Sequence, residues 1–530
     1  MSARLIEALQ NPACYPHSVT LPIQVIETQV SWVLLTGQYA YKLKKSLNFG
    51  FLDFSSLEKR QFCCEEELRL NQRLAPDIYQ VVVTINGSIE VPLVSATDYR
   101  DFDEHDSNAQ SASIDNERVL EFAVRMQQFD PEAGLDHLLQ ANQFKTQWID
   151  ELAVQLAQFH LQLPTVASNS PWGEASNIWQ LVSDNFLHTL DFCQNPLDQQ
   201  QLSTLYAQTT AQYTALADVF KDRRQQGFIR ECHGDLHLGN VTCYQDKLRL
   251  FDCIEFNLQF RWIDTCSDLA FLLMDLEANN KHTWANLALN RYLDITGDYQ
   301  CLLLLNFYKS FRSMVRAKVA TLGDQANHAT FTKYLKLTQS YQKKPAARLI
   351  IMHGLSGSGK SHLSHKIIES IDAIRIRSET ERNRLHKELQ KKGKNIDLHS
   401  PEINARLSQH LITLTEQLLK QGYTVLVDGT FLKQHFRQKY LAIAEKLNVN
   451  IKIISCECDD KLMEARLVRG INTRSADSKF SLDRLSHQLS YQQPLTDAES
   501  LYQERVNTDN DQAIEDFLTL LKDQVSILRA

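Results

Sequence analysis

At 530 residues, 43% hydrophobic and 23% charged, the chain has an ordinary globular composition and length for about two to four domains, each with its own core. A net charge of -8 and a pI near 6.1 argue against a general nucleic-acid or membrane-surface protein while leaving room for a local basic groove. Eleven cysteines without paired C-x-x-C clusters point to reduced thiols rather than disulfides or zinc; no run reaches membrane-span length and the first residues lack a signal-peptide core, so a cytoplasmic protein is expected.

In chain order, a short helix (Ala3–Gln10) precedes three strands expected at Ile23–Glu27, Trp32–Thr36 and Tyr39–Lys44. A helix follows over Gln61–Leu74. Two strands, Tyr79–Ile85 and Ser88–Val94, are then joined by Asn86-Gly87, a two-residue hairpin signal. Residues 98–118 are rich in Asp, Ser and Asn and predict a surface loop; Val119–Met126 reads as another strand. From Ile149 onward the periodicity is helical, and His160 sits on an apolar stripe as a core histidine.

The stretch 227–241, GFIRECHGDLHLGNV, carries His233-Gly234-Asp235 with Asn240 five residues after the aspartate, followed by LRLFDCIEFN at 248–257. This is the spacing of a kinase catalytic loop and its strand-borne metal aspartate, here Asp252. The residue types suit the chemistry: one aspartate orients the attacking hydroxyl, while an asparagine and a second aspartate hold Mg²⁺ against phosphates. On HGDLHLGN and FDCIEF, residues 1 to about 340 resemble the aminoglycoside phosphotransferase and choline-kinase-like branch of the protein-kinase fold. The resemblance implies a bilobal α+β domain, with Asp235 catalytic and Asn240 and Asp252 as metal ligands. It places the nucleotide lysine on YAYKLKK, where Lys42 and Lys44 share a face and Lys44 is preferred. Its glutamate partner is expected to be Glu67, with Glu66 beside it. The turn Glu27–Ser31 has no glycine, which favours the small-molecule branch over protein kinases. Asp268 is expected to brace the catalytic loop, and the basic helix at 308–319 to present a solvated face.

Gln342–Pro345 reads as a linker. Beyond it, LIIMHGLSGSGKS couples a buried strand to the Walker A pattern, Gly354, Leu355, Ser356, Gly357, Ser358, Gly359, Lys360 and Ser361. Glycines let backbone N–H groups approach phosphate oxygens, the lysine reaches the outer phosphates, and Ser361 offers its hydroxyl to Mg²⁺. Further strands are expected at Ala373–Arg377, at 421–428 ending in Asp428, a Walker B carboxylate and metal ligand, and at Ile451–Cys456. Strands alternating with helices predict an α/β P-loop NTPase domain with a parallel sheet. This part resembles small P-loop kinases of the polynucleotide-kinase, gluconate-kinase and zeta-toxin kind. That resemblance implies a catalytic Glu379 that activates the acceptor hydroxyl, and lid arginines Arg466, Arg469 and Arg474.

The expected organisation is a kinase-like domain at 1–341 (N-lobe about 1–130, C-lobe about 131–341), a linker at 342–346 and a P-loop kinase domain at 347–530. The chain as a whole resembles bacterial aminoglycoside-phosphotransferase-like/ATP-binding fusions. That implies a bifunctional ATP- and Mg²⁺-dependent phosphotransferase acting on small hydroxyl-bearing acceptors, without a membrane partner. Two alternatives stay open: one domain regulates the other as a nucleotide-binding module, or the C-terminal domain is a nucleic-acid end kinase, which the acidic total charge disfavours.

Overall fold

The computed structural model describes residues 3–98, 119–321, 327–343, 346–394, 396–472 and 478–527; side chains at 469–484 and 525–527 lie outside that description. The expected 98–118 loop therefore falls outside the described residues, apart from Asp98. The chain packs as two compact units. One holds residues 1–148, 159–184 and 217–275; the other holds 149–158, 185–216 and 276–530. The linker expected at 342–346 does not coincide with the division between them.

The first unit is built on an antiparallel sheet of six strands: β1 (Gln24–Glu27), β2 (Ser31–Leu35), β3 (Tyr39–Lys44), β4 (Tyr79–Gly87), β5 (Pro92–Val94) and β6 (Glu121–Gln127), in the order β1-β2-β3-β6-β4-β5. The two-residue alternation of β3 sorts its side chains between two cores. Tyr41 and Leu43 join Leu34, Val83 and the N-terminal Leu5, Ile6 and Leu9 on one face. Ala40 joins Val82, Val124, Cys64 and Leu68 on the other, against the helix Leu57–Asn71. Lys42 and Lys44 share the face of Ala40, so both are directed toward that helix. The helix starts four residues before its expected first residue because Ser56 caps it, its side chain accepting the Lys59 N–H.

The Asn86-Gly87 hairpin is a correction. Both residues belong to β4, with Gly87 opposite Pro92, and the reversal is made by Ser88–Val91. Asn86 gives its side-chain amide to Thr84 Oγ1 within the strand, so the tight turn is displaced downstream. Two small ribbons complete this unit: β7 (Ile229–Glu231) pairs with β10 (Trp262–Asp264), and β8 (Val241–Tyr244) pairs with β9 (Lys247–Leu250).

The second unit contains a five-stranded parallel sheet in the order β12-β13-β11-β14-β15, from β11 (Arg348–His353), β12 (Ile374–Arg377), β13 (Val425–Asp428), β14 (Asn450–Glu457) and β15 (Gln503–Asn507). Ile350, Met352, Leu426, Ile454 and Val506 pack with Leu363, Ile367, Ile368 and Leu518 from the helices on one face. The near-continuous apolar runs of β11 and β13 reflect burial on both faces of the sheet. β15 is an additional strand whose polar sequence, QERVN, gave no apolar signal.

The helix His282–Thr296 packs in this same unit. Asn286 donates to Ile368 O at 2.8 Å. Asn290 donates to Ala373 O at 2.9 Å and accepts the Arg375 N–H at 2.7 Å. Asp294 pairs with Arg375 at 3.2 Å, and Arg384 donates to the Asp294 carbonyl. The helix Leu305–Val319 also departs from expectation: Lys309 and Arg312 are buried, and Lys309 pairs with Glu277, which Tyr341 also bonds. Part of its basic face is thus turned inward, while Arg316 and Lys318 stay half-buried. No helix among the described residues is long and apolar enough to cross a membrane, and no disulfide joins the eleven cysteines.

Candidate active sites

In the first unit, the loop Cys232–Asn240 is fixed by two buried carboxylates, Asp268 and Asp275, the latter accepting the Leu238 N–H at 2.9 Å. Asp268, fully buried, accepts the His233 N–H at 3.1 Å and the Gly234 N–H at 2.9 Å, so it braces the loop. Gly234 has φ +89°, and a Cβ there would stand 2.7 Å from Phe260 O, so only glycine fits. His160 contacts Asp268 at 3.1 Å as a buried brace. With Cys232 these form a compact His/Cys/Asp group, but the Asp268 oxygens are already committed to backbone N–H groups. His233 contacts Phe251 O at 2.8 Å, and Ile254 N–H returns to His233 O at 3.0 Å, tying the loop to the segment that bears Asp252.

On this frame Asp235 is directed outward, with its side chain 37% exposed. Asn240 donates its side-chain amide to Asp235 O at 2.9 Å and to Asp235 Oδ2 at 3.2 Å, and its backbone carbonyl accepts the Phe251 N–H at 3.0 Å. That last bond places Asp252 next to the asparagine. Asp252 has φ +64°, a left-handed conformation tolerated by aspartate and common at functional positions. Burial opposes its ionisation, but Lys42, 2.5 Å away, overrides this and holds its pKa below the usual carboxylate value.

The two lysines of β3 have different roles in the geometry. Lys42 lies 2.7 Å from Glu67 and reaches Asp252. Lys44, 1% exposed, is enclosed by Glu67 at 2.5 Å and by Glu255. Burial acts against both ammonium groups, yet the carboxylates outweigh it and raise both pKa values. Burial also acts against Glu67, and Lys42 and Lys44 hold it ionised. Glu66, the second expected partner, pairs with Arg69 and Arg261 instead. Glu67 thus meets both lysines, and Lys42, rather than the preferred Lys44, is the one that also reaches Asp252. Glu255 escaped the sequence reading because it meets Lys44 only in the fold. Two lysines face three carboxylates, Glu67, Asp252 and Glu255, and Asp235 and Asn240 add oxygens beside them. This hard-oxygen set fits Mg²⁺.

In the second unit, Gly354, Gly357 and Gly359 have φ of +140°, +86° and +81°. A Cβ at Gly357 would lie 2.7 Å from Met463 O, and one at Gly359 2.8 Å from Thr508. The loop is thus a bare-backbone cradle opening the helix Lys360–Ser370. Lys360 Nζ donates to Leu355 O at 2.5 Å, and Ser358 Oγ is buried without a hydrogen-bond partner in the loop. Ser361 is exposed. Asp428, at the end of β13, accepts from Ser364 Oγ at 3.0 Å, one helical turn beyond Ser361. These groups fit a nucleotide phosphate chain and its Mg²⁺.

Glu379 is exposed in the first turn of the helix Ser378–Lys391. Arg377 pairs across the ladder with Asp428, so Glu379 follows at the same carboxyl end of the sheet. Arg466 is anchored rather than presented: its guanidinium donates to Thr508 O at 2.9 Å and lies 3.4 Å from Asp509. The Arg469 side chain and the whole of Arg474 lie outside the described residues. Two further residues hold the loop and were not evident in the sequence. Thr508 donates to Ser358 O at 3.0 Å, and Gln488 bonds Ser356. His353 ends β11, immediately before the loop. Burial, with help from Arg437 and Lys360, holds its pKa down to about 4, and only its Nδ1 is engaged, 3.1 Å from Ser455 Oγ.

Residues 349–495 match the sequence model of the AAA domain (AAA_33). Uncharacterised proteins of Mycobacterium tuberculosis and Mycobacterium bovis are 25% identical over 468 residues, spanning 86% of this chain and 88% of theirs. Among solved structures, the Mycobacterium tuberculosis APS kinase in complex with AMPPNP and APS is 20% identical, with a TM-score of 0.26 over 34% of this chain and 99% of that one. A gluconokinase from Sinorhizobium meliloti is 16% identical, with a TM-score of 0.24 over 35% of this chain and 98% of that one. With the Walker loop and the parallel sheet on which it sits, the match over residues 349–495 identifies the C-terminal region as a P-loop domain.

Proposed function

We propose that the protein is an ATP- and Mg²⁺-dependent phosphotransferase with two nucleotide sites, each serving a small hydroxyl-bearing acceptor. The observation that carries the two-site reading is that Lys42 joins Glu67 to Asp252 in the first unit, while Asn240 ties Asp235 to the same place. This arrangement supports an aminoglycoside-phosphotransferase-like or choline-kinase-like domain.

In that site Asp235 orients the acceptor hydroxyl and takes its proton as the oxygen attacks. Lys42, held by Glu67, lies against the phosphates, and Lys44 keeps Glu67 and Glu255 neutralised behind it. Asn240 and Asp252 would hold Mg²⁺, which when bound neutralises charge on the phosphate oxygens. In the P-loop site the backbone of Gly354–Gly359 and the Lys360 ammonium hold the phosphates, Ser361 and Asp428 would hold Mg²⁺, and Glu379 is the proposed base. Anchored on Thr508, Arg466 supports the loop rather than closing on a phosphoryl group.

Titration of the intact chain with a non-hydrolysable Mg·ATP analogue tests the reading. Two sites are expected, with Lys360→Ala removing one and leaving the other. A single site lost with Lys360→Ala would reduce the first unit to a kinase fold without nucleotide.

A further inference from the structure

Ser356 is the third residue of the Walker loop, between the glycines at 354 and 357. Its backbone N–H donates to Gln488 Oε1 at 2.8 Å, and Gln488 Nε2 donates back to Ser356 Oγ at 2.9 Å. Gln488 comes from the helix Ser478–Tyr491, 132 residues away, and is 3% exposed. Two bonds to one residue fix both the position and the orientation of that residue, and burial makes them costly to lose.

The location within the loop gives this contact its meaning. Lys360 Nζ lies on Leu355 O, and a Walker lysine reaches the β- and γ-phosphates. Leu355–Ser356 is therefore the end of the loop nearest the outer phosphate. The other end is held independently, by Thr508 on Ser358 O and by the close fit of Thr508 against Gly359. Gln488 acts on the outer end.

We propose that Gln488 is a positioning residue that holds Ser356 at the γ-phosphate end of the loop and thereby sets the preference of this site for nucleoside triphosphate over diphosphate. The proposal rests on the P-loop being a nucleotide site. The first step of the test checks that separately: the Walker component is the binding event that Lys360→Ala abolishes in the full-length protein.

Gln488→Met keeps most of the side-chain volume and removes both hydrogen bonds. Its binding of the Mg·ATP analogue is expected to weaken about tenfold, the scale of one to two hydrogen bonds, while Mg·ADP affinity changes by less than about twofold. Ser356→Ala keeps the N–H bond and loses only the hydroxyl partner, so an intermediate loss of about threefold for the analogue alone is expected. That second variant decides the matter should Gln488→Met fail to fold. Equal loss for triphosphate and diphosphate would make Gln488 a packing residue, and unchanged affinity for both would remove it from the site; either overturns the proposal.

Discussion

Lys42 and Asp252 stand 2.5 Å apart although 210 residues separate them in the chain, and Glu67 holds the same lysine from its other side. Lys44, two residues on, shares Glu67 but is closed off behind it. The two lysines should therefore fail in different ways. Lys42→Met is expected to lower Mg·ATP affinity at the first site by tenfold or more, with little change in thermal midpoint, the scale of a lost charge-assisted contact. Lys44→Met leaves Glu67 and Glu255 short of a buried cation and should cost about 3–5 kcal/mol of stability in chemical denaturation. A stable Lys44→Met protein that no longer binds ATP at this site would reverse the assignment.

Asp235 and Asp252 separate turnover from metal binding. In full-length protein silenced at the Walker site by Lys360→Ala, Asp235→Asn should leave Mg·ATP binding near wild type and abolish acceptor-dependent ATP consumption. Asp252→Asn should weaken metal-dependent ATP binding itself. ATP consumption by Asp235→Asn at the unmutated rate, with acceptor present, would count against the kinase assignment.

For the P-loop site, Glu379→Gln should retain ATP affinity and lose phosphotransfer by about 10²-fold, the usual contribution of a positioned base. Glu381, two residues on, is a contrast: it is buried against His410 and Arg384. Glu381→Gln should therefore show its effect in the melting temperature. Matched losses of binding and turnover in Glu379→Gln would make Glu379 structural.

The pH dependence of stability has a defined sign at His353. Its folded pKa is depressed to about 4 by burial, aided by Arg437 and Lys360, whereas the unfolded imidazole titrates near its ordinary value of 6.5. Below pH 6.5 the unfolded chain takes up a proton that the folded chain refuses, so stability falls as pH drops from about 6.5 toward 4. The loss from this residue is at most about 3 kcal/mol, from 1.36 kcal/mol per pKa unit. Urea midpoints at pH 7 and pH 5 should converge between wild type and His353→Gln as the pH is lowered. A constant gap would remove His353 from the pH dependence.

Much of this was legible in the chain. β3, the Walker loop and the HGD segment carry local signals: two-residue alternation, glycines at fixed spacing, and polar residues at the end of an apolar run. The choice between Lys42 and Lys44 was not legible, because a period of two places both on one face and their distinguishing partners lie more than 200 residues away. β15 was missed since QERVN alternates no apolar residues; its strand state is imposed by pairing with β14. Asn86-Gly87 misled because its turn chemistry is local while the strand pairing that absorbed it is not. Gln488 lies in a helix whose pattern says nothing of Ser356.

Asn290 has a consequence for the sheet it touches. β12 is one of the sheet's two edge strands, and on its outer side the Ala373 carbonyl and the Arg375 amide have no neighbouring strand to pair with. The single amide of Asn290 satisfies both, so it does the work of a neighbouring strand one residue long. Open strand edges recruit other strands, and proteins cover or blunt them for that reason. The helix His282–Thr296 is thus a stopper that ends the sheet at five strands. A fragment cut at the Gln342–Pro345 segment would expose this edge as a template for self-association, whereas one beginning near Leu276 would carry its own seal.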